Sequence, residues 1–440
     1  MRTLFCLICL FLSAHVLAWA ESINPHNETL SAERQEFDSN FFADEVYFVV
    51  AAENNYNPAS MMGHSFLRFK GQGHDNAFSY FTDISDFLNY TKNLLGFGEG
   101  FYIVRPYSEL IGNYIVSEKR SVWEFKLDLS EDERSLLKEK IWGLYKKSEP
   151  YRFINHNCNS VLIGLLSEVS PNYKPDVFKP YITPVEYAQF LVSNGKAKEI
   201  TYRPPSAVNA QPESVNEANT GIKNILDAKP PARIAILGGT ELFSEHDTSK
   251  VRSTVYIELS PVYQDIRSTG DAYPAELETK LSYLKLRKRQ GGGISISDYA
   301  LIRLKAIRDI STYFNLGYEE DYLSAAAGIG AGFVRMLPAG EGGFSAYFLP
   351  IAGIRHGTGY IEGEFGFISR IGSLFKTGIS ASAGTDYHSA KAFLSISLGR
   401  NVDILAEYEG RYAGNSDKIG IKGISSDNFN SIKAGVSFFF

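Results

Sequence analysis

The sequence predicts two unlike halves. An α+β domain occupies residues 41–203, and an antiparallel transmembrane β-barrel of about 12 strands occupies residues 233–440. Three observations carry this division. Up to residue 203, short apolar runs alternate with capped helical periods. From Arg233 onward the apolar residues recur every second position, in segments broken by Gly, Asp, Asn and Ser. Those segments run roughly nine to thirteen residues, the length of membrane-crossing strands. In the last of them Ile432, Ala434, Val436, Phe438 and Phe440 share one face.

Arg2, the apolar run Leu4 to Leu17 and the small-x-small sequence Ala18-Trp19-Ala20 predict a secretory signal peptide over residues 1–20. Residues 21–40 are polar and expected to be loose. The formal net charge of -6 argues against nucleic acid as a partner. Cys6 and Cys9 leave with the signal peptide, so the mature chain keeps Cys158 alone and can form no internal disulfide. The bland alternative is a buried, inert small hydrophobe.

Glu45 to Ala52 reads as a buried strand. Gly63-His64-Ser65-Phe66-Leu67-Arg68-Phe69 is a second strand with His64 at its start, and Ala77 to Phe81 is its partner across a Gly71/Gly73 turn that carries an exposed His74. Ile84 to Leu95 is a weak helix; Glu99 to Tyr107 and Val122 to Leu129 are further strands. Ser130 and Glu133 form a capping box for a helix carrying Leu136, Leu137, Ile141 and Leu144. Thr183, Pro184 and Glu186 start another helix, which stops near Asn194-Gly195. Prolines at 204, 205, 212, 230 and 231 mark residues 204–232 as a linker, with a short helix near Ile222 to Leu226.

The barrel reading competes with a soluble β-sandwich, which also alternates. Strand length favours the barrel. The inward charges Glu362, Glu364, Glu407 and Glu409 suit a wet lumen. An even strand count returns the chain to its starting side, so the N-terminal domain is expected in the periplasm.

Asn155-His156-Asn157-Cys158-Asn159-Ser160 precedes the helical run Val161, Leu162, Leu165, Leu166, Val169. Cys158 thus falls in the first turn of a helix, where unpaired N–H groups and the dipole favour a thiolate. A cysteine nucleophile needs a base and an orienting group. His64 is the candidate base, although a lone histidine at a strand start is often only a satisfied imidazole; His156 is its rival but is expected to point away from the thiol. Ser79, on the strand after His64, is the candidate orienting residue, with Asn157 second. The Cys158 N–H is a candidate oxyanion donor. Arg68 shares a strand face with His64 and could pair an anionic group, the plainer alternative being a salt-bridged arginine.

Gly63-His64-Ser65-Phe66-Leu67-Arg68 resembles the G-H-T/S-x-L-R motif of the Lnb-type N-terminal periplasmic domain family, and Asn157-Cys158 resembles its N-C motif. Leu94-Leu95-Gly96, Tyr102 to Tyr107, Trp123-Glu124-Phe125 and Thr183-Pro184 follow the family's order. The resemblance implies a permuted papain-like fold, with His before Cys as in NlpC-like hydrolases, and a Cys–His acyl-enzyme mechanism. The namesake branch is similar to a lipoprotein N-acyltransferase. By position, His64 and Cys158 match the motifs. Ser79 stands where relatives often carry Asn, and His156 where they often carry Asn or Glu.

These readings lead to an outer-membrane protein whose periplasmic domain is an acyltransferase or lipid hydrolase, with a lipid or lipoprotein as substrate. A cysteine amidase acting on peptidoglycan or protein, and a non-catalytic binding protein, are the alternatives. No cofactor is expected. No cysteine–histidine spacing suits a metal, and Gly291-Gly292-Gly293 is a turn rather than a phosphate loop.

Overall fold

The computed structural model describes residues 32–52, 63–83, 89, 92–93, 96–118, 120–153, 155–176, 181–204, 213–214, 225–245, 248–264, 267, 276–319, 322–336, 342–355, 357–372, 374–385, 387–413 and 429–440. The expected signal peptide, most of the weak helix over 84–95 and most of the linker lie outside these residues. The chain forms two compact units: residues 1–51, 65–176 and 191–214, and residues 52–64, 177–190 and 215–440.

An eight-stranded sheet organises the N-terminal region. Its strands are Glu45–Ala51 (β1), His64–Gly71 (β2), His74–Thr82 (β3), Gly98–Pro106 (β4), Val122–Leu127 (β5), Ser148–Tyr151 (β6), Ala197–Arg203 (β7) and Glu213–Ser214 (β8). They lie in the order β6-β4-β3-β2-β1-β5-β7-β8. Helices cover the sheet, as apolar strand faces require. Residues 32–40 (α1), expected to be loose, instead form a helix. Phe37 of α1 stacks on Phe41 at 4.8 Å and packs against Trp142 at 5.2 Å, and burial of those rings outweighs the polarity that surrounds them in sequence.

Tyr107–Gly112 (α2) continues as a π-turn over Asn113–Ser117. It sets Tyr107, Tyr114 and Ile115 against Phe66 and Ala77. Glu131–Leu144 (α3) carries the expected capping box between Ser130 and Glu133. Cys158–Val169 (α4) follows, and Pro184–Ser193 (α5) is closed at its start by the reciprocal Thr183 and Glu186 bonds. His74 is not in the turn but opens β3, its ring 5.1 Å from that of Phe42. The turn itself is made by Gln72 and Gly73 in left-handed conformations.

One buried carboxylate ties the sheet together. Glu124, 2% exposed, pairs with Arg68 at 2.5 Å, with Arg203, and with the Tyr107 hydroxyl at 2.6 Å. Arg68 spends its other nitrogens on Asp75 at 2.8 and 2.6 Å, and its plane lies over the Tyr107 ring at 4.1 Å. Three strands and α2 therefore meet at a single charge, and Arg68 links β3 to it through Asp75.

The C-terminal region is a closed barrel. Its strands are Arg233–Glu245 (β9), Thr248–Ser260 (β10), Val262–Gln264 (β11), Glu276–Arg289 (β12), Ile294–Ile307 (β13), Ile310–Glu319 (β14), Tyr322–Met336 (β15), Gly342–Arg355 (β16), Thr358–Ile371 (β17), Phe375–Gly384 (β18), Tyr387–Ser397 (β19), Val402–Ala413 (β20) and Phe429–Phe439 (β21). β9 pairs antiparallel with β10, and from β12 to β21 each pairs antiparallel with the next; β21 returns to β9, and β10 meets β12 from Thr254↔Arg289 to Leu259↔Leu284. The three-residue β11 continues β10 against β12 in the same register, so the closed ring has 12 strands.

Side chains alternate across that wall. Ile329, Phe365 and Ile432 are 73%, 62% and 64% exposed on the outside, where an apolar band is needed to face hydrocarbon. The inside is charged and paired. Glu258 meets Arg233 at 2.7 Å and Lys285 at 3.2 Å, Glu241 meets Arg289 at 2.5 Å, and Glu362, Glu364, Glu407 and Glu409 each meet a cation. Glycine makes room for large rings within the wall: a Cβ at Gly366 would stand 2.2 Å from the Tyr347 ring.

Replacing Glu124 by Gln removes the shared charge but leaves Arg68 and Arg203 buried. The expected cost is about 3–5 kcal/mol, the usual result of breaking a buried ion pair from one side. Urea unfolding followed by the fluorescence of the adjacent Trp123 measures it; an unchanged midpoint would show that the two arginines find water instead.

Candidate active site

The site begins with a helix start. Asn157 takes an extended conformation (φ -126°, ψ -177°), and its side-chain oxygen accepts from the N–H groups of Asn159 and Ser160, both at 3.0 Å. The Ser160 hydroxyl accepts from the Asn157 N–H at 2.8 Å, closing a reciprocal cap. The Asn157 amide nitrogen donates to the Phe153 carbonyl at 2.7 Å. Asn157 is thus fully committed to shaping the turn, and Cys158 becomes the first helical residue. Val161 donates to the Asn157 carbonyl at 3.1 Å. Among the described residues the Cys158 N–H is the first-turn donor with no acceptor.

Strand β2 brings the other half. Gly63, at φ 78°, turns the chain into the strand in a conformation that a side chain would strain. His64 follows as the first strand residue, half-buried. Ser65 is fully buried, and its hydroxyl donates to the Asn159 side-chain oxygen at 3.2 Å. Ser65, Asn159 and Tyr151 lie near enough to the Cys158 thiol to favour its charged form. Tyr114, stacked on Phe66 at 5.8 Å, is also close enough to Cys158 to feel a charge there.

The thiol is 7% exposed, and burial pushes its pKa up. The donors from Ser65, Asn159 and Tyr151 pull the other way but do not prevail. Burial thus opposes the thiolate that the helix start favours, and it is the larger of the two influences.

Ser79 is 2% exposed on β3. Arg68 and Ala77 are cross-strand partners, so Ser79, two residues beyond Ala77, shares the sheet face of His64 and Arg68. The Arg68 fork is filled by Asp75 and Glu124, so the salt-bridged alternative describes it. His156 is turned to Glu149 at 2.9 Å and lies edge-on to Tyr80 at 5.3 Å. Tyr151 and Glu149 were not foreseen, because they sit on the four-residue strand β6, which sequence periodicity cannot register. Among the described residues no cluster of His, Cys, Asp and Glu could hold a metal.

Residues 33–190 match the family model of the Lnb N-terminal periplasmic domain. No curated protein matches the chain. Among solved structures, the NanC porin is similar over 47% of this chain and 98% of its own, at 9% identity and a TM-score of 0.30. Neisserial surface protein A is similar over 48% and 97%, at 11% identity and a TM-score of 0.19. The Acinetobacter baumannii outer membrane protein Omp33 is similar over 48% and 98%, at 11% identity and a TM-score of 0.23. The strand count and closure come from this chain's own register. The matching family model describes a periplasmic domain.

Alkylation of Cys158 by iodoacetamide, followed by peptide mass mapping, is expected to be slow at neutral pH and to rise only above the ordinary thiol range. Ser65→Ala removes a donor to the sulfur and should move that profile to still higher pH. Fast alkylation at pH 7 in the wild type would contradict the burial argument.

Proposed function

We propose that the Lnb domain is a Cys–His acyl-transfer enzyme that takes an acyl group from a lipid ester. The observation that carries this reading is the position of Cys158: first residue of α4, with Ser65, the residue after His64, against its sulfur. His64 accepts the thiol proton as the sulfur attacks the ester carbonyl. The carbonyl oxygen takes the electron pair and is met by the unspent Cys158 N–H, a donor fixed in place before reaction begins. Collapse expels the alcohol, which recovers the proton from His64, and leaves a thioester on Cys158. His64 then deprotonates a second nucleophile, an amine in transfer or water in hydrolysis, and the thiol is regenerated. Ser79, on the same sheet face as His64, is the candidate to orient the imidazole. The barrel in the same chain supports a lipid substrate, because it holds the domain to a membrane by a covalent tether.

Intact-protein mass spectrometry after incubation of the full chain with phospholipid vesicles tests the proposal. The wild type should gain one acyl mass that hydroxylamine removes. Cys158→Ala should gain none, and His64→Ala should acylate about 10²–10⁴-fold more slowly, the usual contribution of a general base. If both variants acylate as the wild type does, the reading fails. Acylation of a peptide substrate instead would favour the amidase alternative.

A further inference from the structure

The barrel interior encloses a cavity of about 290 Å³. Nine Lys and Arg side chains line it, against seven Asp and Glu. Those carboxylates are not available to a ligand. Glu258 and Glu407 are held by Arg267, with Lys285 and Lys433 as further partners. Glu278 pairs with Lys280 at 3.2 Å, Asp298 with Arg303 at 2.8 Å, and Glu362 with Arg355 at 3.1 Å. Glu364 pairs with Lys305 at 2.7 Å and Glu409 with Arg411 at 3.1 Å.

Lys391 is left over. It faces the cavity from β19, on the strand face of the buried Ser389 and Ser395 and opposite the outward Leu394. Its cross-strand neighbour is Glu409, but that carboxylate is taken by Arg411 and, at 3.9 Å, by Lys433. Among the described residues Lys391 makes no ion pair within 4 Å; it feels Glu409 and Glu364 only at longer range, behind their direct partners Arg411 and Lys305, and it is exposed. Phe393, Tyr347 and Ser380 line the wall around it. A cavity whose anions are all neutralised and whose unspent group is a cation carries a positive potential, focused by the surrounding protein. Rings beside a single ammonium suit a solute with an apolar body and an anionic end.

We propose that the barrel lumen is a binding site for a small organic anion, centred on Lys391 with its acid group on the ammonium and its body against Phe393 and Tyr347. Carboxylate and phosphate share the required chemistry.

The experiment is calorimetric titration of the full chain in detergent with benzoate, phenyl phosphate, inorganic phosphate and, as a cationic control, benzylamine. Benzoate or phenyl phosphate should bind, benzylamine should not, and Lys391→Glu should weaken binding at least tenfold. The stronger of the two aromatic anions identifies the acid group, and weak binding of inorganic phosphate confirms that the rings contribute. Lys391→Gln keeps the length without the charge and should lose most of the same affinity, which guards against misfolding of the Glu variant. Equal binding of benzylamine, no binding of either aromatic anion, or unaltered binding in both variants would overturn the proposal.

Discussion

The contact between Ser65 and Asn159 holds the site together. It joins the start of a strand to the first turn of a helix, and both residues are fully buried. Each residue of that bond follows a candidate: His64 precedes Ser65, and Cys158 precedes Asn159. A buried hydroxyl–amide bond is costly to leave unmade, so the pair resists separation more than its modest net energy suggests. The reciprocal cap of Asn157 and Ser160 adds a second constraint, because it sets the residue at which the helix begins. A helix begun one residue later would turn the sulfur away from β2.

The same packing sets the resting state of the thiol. Helix N-termini favour negative charge, but that preference is a surface effect of limited size. At Cys158 the loss of water is the larger influence. Burial also shields the sulfur, and oxidants act on thiolates that they can reach.

The barrel follows a different logic. Its backbone groups are satisfied only when the ring closes, and the register from β9 round to β12 achieves this. The outward face is apolar, whereas the inward face concentrates charges that no soluble core of this size would accept without partners. They are tolerated because each carboxylate around the cavity meets a cation. Lys391 departs from that rule, which is why it marks the lumen as more than filler.

The sequence by itself determined the two halves, the strand period, a barrel of about 12 strands, the capped helices α3 and α5, and the placement of Cys158 in a first helical turn. These are local or periodic properties, and periodicity survives without knowledge of neighbours. Only the tertiary structure decided which groups surround the sulfur, that Arg68 is bound by Glu124 and Asp75, that residues 32–40 become a helix, and that burial overrides the helix start at Cys158. Each of these depends on residues distant along the chain, and desolvation in particular has no sequence signature, because it is set by what else the fold brings to the same place.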